Sequence, residues 1–214
     1  MKTTRVIVSL IGLLLLSSPA LSQSEDVPKF EVAAEFTSLE RDNGGGKRSE
    51  PGVGARFTFN LNRVVSLETA GYFFPKRCFD CSNNGRVTEV LGGVKVGKRF
   101  QNWGIFAKAR PGVISFGQGK FNIVPAPSNP GFPFTFEAER LSTFATDIGG
   151  VIEFYPSRRI VTRFDAGDTI IHFNRRTTNG IRFDPETGFS LVPFTFPSRN
   201  SHNFQFIASV GFRF

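Results

Sequence analysis

Apolar and polar residues alternate one for one along much of this chain, most clearly near its end. From Phe204 the even positions are Phe204, Phe206, Ala208, Val210, Phe212 and Phe214, and the odd positions between them are Gln205, Ile207, Ser209, Gly211 and Arg213. A period of two is a strand with one apolar and one mostly polar or small face. The sequence closes on Phe212 and Phe214 with nothing polar to solvate them. That reads as a strand whose apolar face meets lipid.

The same alternation predicts seven earlier strands: Lys29 to Thr37, Val53 to Asn60, Val65 to Phe74, Val87 to Arg99, Ile105 to Phe116, Leu141 to Tyr155 and Ile160 to Phe173. Short links near Asn62-Arg63, Gln101-Asn102 and Pro156-Ser157-Arg158 alternate with longer ones, Asp42 to Pro51, Pro75 to Gly85, Gly117 to Arg140 and Asn174 to Asn200. An even strand count, antiparallel order and long links on one side only predict an all-β fold: an eight-stranded antiparallel up-and-down transmembrane β-barrel. With the last strand ending in the periplasm, the short turns are periplasmic and the long loops extracellular. Aromatics gather near the turn end (Phe59, Phe100, Trp103, Phe106, Phe154, Tyr155, Phe212, Phe214) and near the loop end (Tyr72, Phe73, Phe74, Phe116, Phe173), which reads as a pair of interfacial girdles.

The N-terminus changes the picture of where the chain goes. Lys2 and Arg5 precede an apolar run, Val6 to Leu16, and a small-residue site at Ala20-Leu21-Ser22, so residues 1–22 read as a secretory signal and residues 23–214 as one barrel domain. The apolar run is shorter than the ~20 residues a membrane helix needs. Removing the signal takes the formal charge from +8 to +6. No run of five or more like charges supports a nucleic-acid partner, and export argues against one.

On these features the chain resembles the small eight-stranded outer-membrane barrels of the OmpA and OmpX type, the outer membrane protein beta-barrel domain family. The segments carrying the resemblance include Leu91-Gly92-Gly93-Val94-Lys95-Val96-Gly97 and Lys108-Ala109-Arg110-Pro111-Gly112. The terminal Phe212-x-Phe214 is similar to the family's C-terminal assembly signal, although Ser209 stands where the family usually has glycine. The resemblance implies a cell-outer-membrane location and contact with the barrel assembly machinery during biogenesis. It implies little about function, because the fold hosts many roles.

Parity assigns an interior. Glu31, Glu35, Glu68, Glu89, Asp147, Glu153 and Asp165 point inward, as do Arg56, Lys95, Arg99, Lys108, Arg110, Arg163 and Arg213, seven acids against seven bases. The outward faces carry almost no charge, with Lys98 and Asp168 near the rims. An eight-stranded interior is just wide enough for side chains to fill. The balance predicts a salt-bridged lumen without an open pore, with Gly54, Gly93, Gly97, Gly112, Gly149 and Gly211 leaving room between long side chains. A narrow or gated pathway lined by the same charges is the alternative.

Other candidate chemistry is sparse. Cys78 and Cys81, in C-F-D-C, read as a disulfide in an oxidising compartment. His172 and His202 fall near the loop ends of neighbouring strands and read as rim residues bonded to loop backbone; a lipid-modifying site at His172 is a further alternative. No Ser-His-acid set assembles, so no catalytic residue is assigned, and the expectation is a non-enzyme without cofactor or metal. In Asp165-x-Gly167-Asp168 the acids point to opposite faces, unlike a calcium loop. The repeat Pro133-Phe134-Thr135-Phe136 and Pro193-Phe194-Thr195-Phe196 reads as strands six and eight continuing above the membrane, or as a hydrophobic binding rim. Asn179-Gly180 reads as a hairpin tip, and Pro111 predicts a bulge or irregularity. Lys47, Arg48, Lys76, Arg77, Arg175, Arg176 and Arg199 are candidate contacts to lipopolysaccharide phosphates or solvated charges. The expected protein is a monomer in contact with outer-membrane lipid and lipopolysaccharide, with a structural or surface-interaction role; a narrow channel or transporter comes second.

Overall fold

The computed structural model describes residues 27–42, 46–75, 86–126, 133–186 and 188–214. The expected signal and the Cys78–Cys81 loop lie outside them. Among the described residues the chain forms ten strands: β1 (Phe30–Asp42), β2 (Lys47–Asn60), β3 (Val65–Phe74), β4 (Val87–Arg99), β5 (Trp103–Pro125), β6 (Phe134–Phe154), β7 (Ile160–Phe173), β8 (Arg176–Asp184), β9 (Gly188–Phe196) and β10 (Arg199–Arg213). Eight close an antiparallel barrel in the order β1–β10–β7–β6–β5–β4–β3–β2, and β8 and β9 form a separate two-stranded sheet. The first and last barrel strands make the closure, from Glu31 opposite Arg213 to Leu39 opposite Gln205. Phe30 and Phe214 exchange both backbone hydrogen bonds at 2.9 Å. A closed ring satisfies every strand edge internally, as hydrocarbon requires.

Each barrel strand alternates as its sequence does. On β10 and at the residue after it, Phe204, Phe206, Val210, Phe212 and Phe214 face outward and are exposed, while Asn203, Gln205, Ile207, Ser209 and Arg213 are buried inside. The outward run from Phe204 to Phe214 matches the roughly 9–11 residues that a tilted strand needs to cross hydrocarbon. At the turn end the outward rings touch: Phe30 lies 5.3 Å from Phe59 and 5.8 Å from Phe214, and Phe100 stacks on Trp103 at 4.3 Å.

Six aromatics assigned to girdles belong elsewhere. Phe106, Tyr72, Phe74 and Phe116 occupy inward positions and are buried in the lumen, Phe173 packs against the apolar cluster inside the loop end, and Tyr155 bonds Glu153 inside the turn end. Nearness to a strand end does not place a residue on the outer face; parity does. Tyr72, Phe74 and Phe116 join Leu39, Val87, Leu91, Ile114 and Ile171 in one apolar cluster, against which Leu141 and Phe173 pack.

Three long links hold more strand than loop signals suggest. β1 and β2 stay paired up to Asp42 opposite Lys47. The Pro-rich stretch 117–140 continues β5 and β6, paired from Lys120–Glu139 to Pro125–Phe134 after a register shift between Phe116 and Lys120. Pro125 ends β5 and Pro133 directly precedes β6, where a missing N–H costs no ladder bond. At the top, Lys120 Nζ donates to Glu139 at 2.7 Å, which holds this exposed carboxyl below its usual range. The stretch 174–200 folds as the β8–β9 hairpin, so Pro193–Phe196 belongs to β9 and does not continue β10. Asn179-Gly180 lies within β8; the tip is at Asp184 and Gly188, where Asp184 Oδ1 accepts the Glu186 amide at 2.9 Å and Gly188 has φ +80°. β8 leans on β5 through Arg176 Nη1 donating to Gly119 O (2.9 Å) and Asn179 Nδ2 donating to Ile123 O (3.3 Å).

Most of the inward glycines make room for strand backbone more than for long side chains. A Cβ at Gly93 would come within 2.7 Å of Arg110 Cα, and one at Gly149 within 2.7 Å of Gly167 Cα, so strand backbones already fill that space. On a tightly curved wall the inner face is compressed, and glycine permits the approach. Gly54 instead lies beneath the Tyr72 ring. Pro111 causes no register shift: pairing of β4 with β5 lapses between Leu91–Gly112 and Val94–Ala109 and resumes in the same register.

Two substitutions test the two faces. Val94→Arg, outward on β4, is expected to cost roughly 2–4 kcal/mol of stability in lipid vesicles by urea titration. Gly149→Val is expected to block closure, seen as loss of the heat-shifted gel band that a folded barrel shows.

Candidate functional site in the barrel lumen

All fourteen charged residues assigned inward by parity are buried inside the barrel. Strand pairing delivers them to a common axis, because inward positions of neighbouring strands stack in a slanted ladder. Glu68 on β3 is the hub. It pairs with Arg163 from the opposite wall and lies 3.4 Å from Lys95 Nζ, 3.7 Å from Arg56 Nη1 and 4.0 Å from Arg110 Nη1. Arg163 also grips Asp165 two residues along its own strand, Nε to Oδ1 at 2.5 Å and Nη2 to Oδ2 at 2.7 Å. Lys108 bridges Asp147 (2.7 Å) and Asp165 (3.1 Å), and Arg110 Nε donates to Asp147 at 2.9 Å. Lys95 closes the ring onto Glu153.

Toward the turn end the network becomes sparser and mixed. Arg213 Nε lies 3.4 Å from Glu31, whose carboxylate also accepts from Asn60 at 3.0 Å. Arg99 donates to Asn60 (2.6 Å), Ser66 (3.2 Å) and the Asn62 carbonyl (3.1 Å). Tyr155 donates to Glu153 at 2.9 Å and its ring lies 4.3 Å beneath the Arg213 guanidinium. Phe106, inward on β5, faces Lys95 at 4.6 Å and Arg99 at 5.1 Å, so this misassigned ring serves as a cation–π surface inside the lumen.

Toward the loop end the charges give out. Arg56 donates to Glu35 at 2.7 Å, and Tyr72 donates to the other Glu35 oxygen at 2.7 Å. Glu89 stands apart: among the described residues it has no base within ion-pair distance, and its bond is to the Gln205 amide at 3.0 Å. Gln205 also bonds Thr37 at 3.1 Å and accepts from Thr169 at 2.6 Å. Above this polar layer sits the apolar cluster, a collar that charge patterning alone did not reveal. Its signal was present as inward parity at Leu39, Tyr72, Phe74, Ile114 and Phe116.

Outside the lumen, neither histidine bonds loop backbone through its ring as expected. His202 Nδ1 lies 2.6 Å from Asp168 Oδ2 and His172 Nδ1 lies 2.6 Å from Asn200 Oδ1, both on the outward face. Asp165 and Asp168 do face opposite sides, Asp165 being buried in the lumen. Phe212 and Phe214 form part of the turn-end ring contacts, 6.2 Å apart. Among the described residues no group of three or more His, Cys, Asp or Glu could hold a metal.

No protein-family model and no curated protein matches the sequence. Among solved structures, Neisserial surface protein A is similar over 89% of this chain and 100% of its own, with 11% identity and a TM-score of 0.52. The fold is that of the small eight-stranded outer-membrane barrels. The N-terminal β-barrel domain of Pseudomonas aeruginosa OprF (12% identity, 86% of this chain and 97% of that one, TM-score 0.45) and Ail, the attachment invasion locus protein of Yersinia pestis (10% identity, 86% and 96%, TM-score 0.45), also match. In outer-membrane barrels of this fold the long loops lie on the extracellular side and the short turns on the periplasmic side.

The network yields a graded expectation. Glu68→Gln leaves several buried bases short of a partner and is expected to cost about 3–5 kcal/mol. Glu89→Gln, which has no base to strand, is expected to cost about 1 kcal/mol or less. Urea titration of both variants in lipid vesicles checks the difference; equal losses would remove Glu68 as the hub.

Proposed function

We propose that this chain is a monomeric, non-conducting barrel of the bacterial outer membrane that anchors and displays the two raised hairpins as a surface-interaction element. The observation supporting this reading is the occupied lumen. Thirteen charged side chains interlocked by ion pairs, with Glu89 bonded to Gln205, lie below and an apolar collar lies above them. Removing one member of such a network is expensive, so a continuous water path is not its ground state.

The display role rests on the loop end. The β5–β6 extension and β8–β9 hairpin carry exposed aromatics, among them Phe136, Phe183, Phe194 and Phe196. Aromatic surface beyond the outward apolar band has no acyl chains to cover it and is suited to contact with a macromolecule. The chain reaches this location through the signal at residues 1–22 and the assembly machinery that reads Phe212 and Phe214.

Planar-bilayer recording tests the lumen. The wild-type protein is expected to give no stable conductance, and a large, lasting open level would overturn the reading in favour of a narrow channel. Deleting residues 176–196 tests the display role. The shortened protein is expected to keep its heat-shifted gel mobility while whole cells lose their surface adhesion; unchanged adhesion would remove the hairpin from the role.

A further inference from the structure

Glu89 is the one lumen acid among the described residues that stands outside the ion pairs. Its surroundings are apolar. Val87 and Leu91 flank it on the inward face of β4, and its direct partners across the sheet are Ile114 of β5 and Tyr72 of β3, all four members of the apolar cluster. The charge count does not answer it either. On the inner wall Arg56 pairs with Glu35, Lys95 with Glu153, Arg163 with Glu68 and Asp165, and Lys108 and Arg110 with Asp147. These groups balance among themselves. The base that would match Glu89 lies at the turn end, where Arg99 and Arg213 both face Glu31, at 3.9 and 3.4 Å. Arg99 occupies the far end of Glu89's own strand, roughly 30 Å away.

The Glu89 carboxyl is fully buried and receives one bond, from Gln205 Nε2 to Oε2 at 3.0 Å, while Oε1 has no donor among the described residues. Gln205 is fixed in that pose, because Nε2 also donates to Thr37 at 3.1 Å and its Oε1 accepts from Thr169 at 2.6 Å. Thr169 is the direct strand partner of Asp147, whose Oδ1 likewise has no donor among the described residues. The titratable and charged groups of the surrounding strands are committed: Tyr72 and Arg56 donate to Glu35, and Lys108 and Arg110 hold Asp147. A neutral amide softens a buried charge without cancelling it, and a lone ion in a closed interior is costly. A metal cation would need several oxygens around it, whereas the group facing Glu89 is an N–H. A proton meets the need alone. Resting on the reading of a sealed lumen, we propose that Glu89 is a proton-binding site that makes the seal pH-sensitive. Its carboxyl is the neutral acid in the closed barrel, with the proton on Oε1. When solvent base takes that proton, a carboxylate is left among Val87, Leu91 and Ile114 and draws in water, so the collar parts.

Infrared spectroscopy of the full chain in lipid vesicles tests the site, with heat-shifted gel mobility followed in parallel. At neutral pH the wild-type protein is expected to show the carbonyl band of a neutral carboxylic acid. That band is expected to be lost in Glu89→Gln and, in wild type, on raising the pH. Gln205→Leu removes the one N–H that favours the ion and is expected to keep the band to a higher pH. Absence of the band from wild type at neutral pH overturns the site, as does a band unchanged in folded Glu89→Gln or lost at lower pH in Gln205→Leu. Planar-bilayer recording tests the seal: wild type is expected to be silent at neutral pH and to conduct at alkaline pH, and Glu89→Gln to be silent at both. Alkaline conductance equal in the two proteins, or absent from both, overturns the pH-sensitive seal. Stable conductance of wild type at neutral pH would overturn the sealed-lumen reading, whereas a silent wild type without the acid band overturns Glu89 alone.

Discussion

A charge inside this barrel has only the chain's own groups, chiefly other side chains, to answer it. The wall is a single sheet whose outward positions meet hydrocarbon and whose inward positions meet one another, so every inward ion needs a partner within reach. That requirement explains why acids and bases balance across strands distant in sequence. Arg163 on β7 finds Glu68 on β3, and Lys95 on β4 finds Glu153 on β6. It also explains the narrowness of the charged layer. Where partners run out, at Glu89, the sequence changes to amide and hydroxyl groups and then to Leu39, Phe74 and Phe116.

The sequence showed a good deal of this, for one reason. A period of two along a strand gives the face directly, and in a closed sheet the face is inside or outside. The eight barrel strands and the burial of all fourteen inward charges follow from parity alone. What parity cannot give is height. Tyr72, Phe74, Phe106, Phe116, Tyr155 and Phe173 lie near strand ends yet have inward parity, so nearness to an end does not make them girdle residues.

The loop end was less legible, again for physical reasons. Pro, Gly and Asn signal loops when they interrupt strands, but here Pro125 and Phe134 face one another at the end of a ladder that runs unbroken below them to the register shift at Phe116. The β8–β9 hairpin has its turn chemistry in Asp184 and Gly188, while the more conspicuous Asn179-Gly180 pairs with Val192 and Pro193 across the ladder. Side-chain bonds to the Gly119 and Ile123 carbonyls, which no local pattern announces, hold that hairpin against β5.

The reciprocal bonds between Phe30 and Phe214 have a kinetic consequence. β1 and β10 are far apart in sequence, so the contact that seals the wall has the longest loop to close and is the slowest kind to form. Until it forms, two strand edges lie open and seven inward charges of one sign lack a settled arrangement with seven of the other. A chain built this way profits from being held unfolded until both ends are present, and then from closing in one concerted step. The same contact that removes the last edge therefore sets the order of events in assembly.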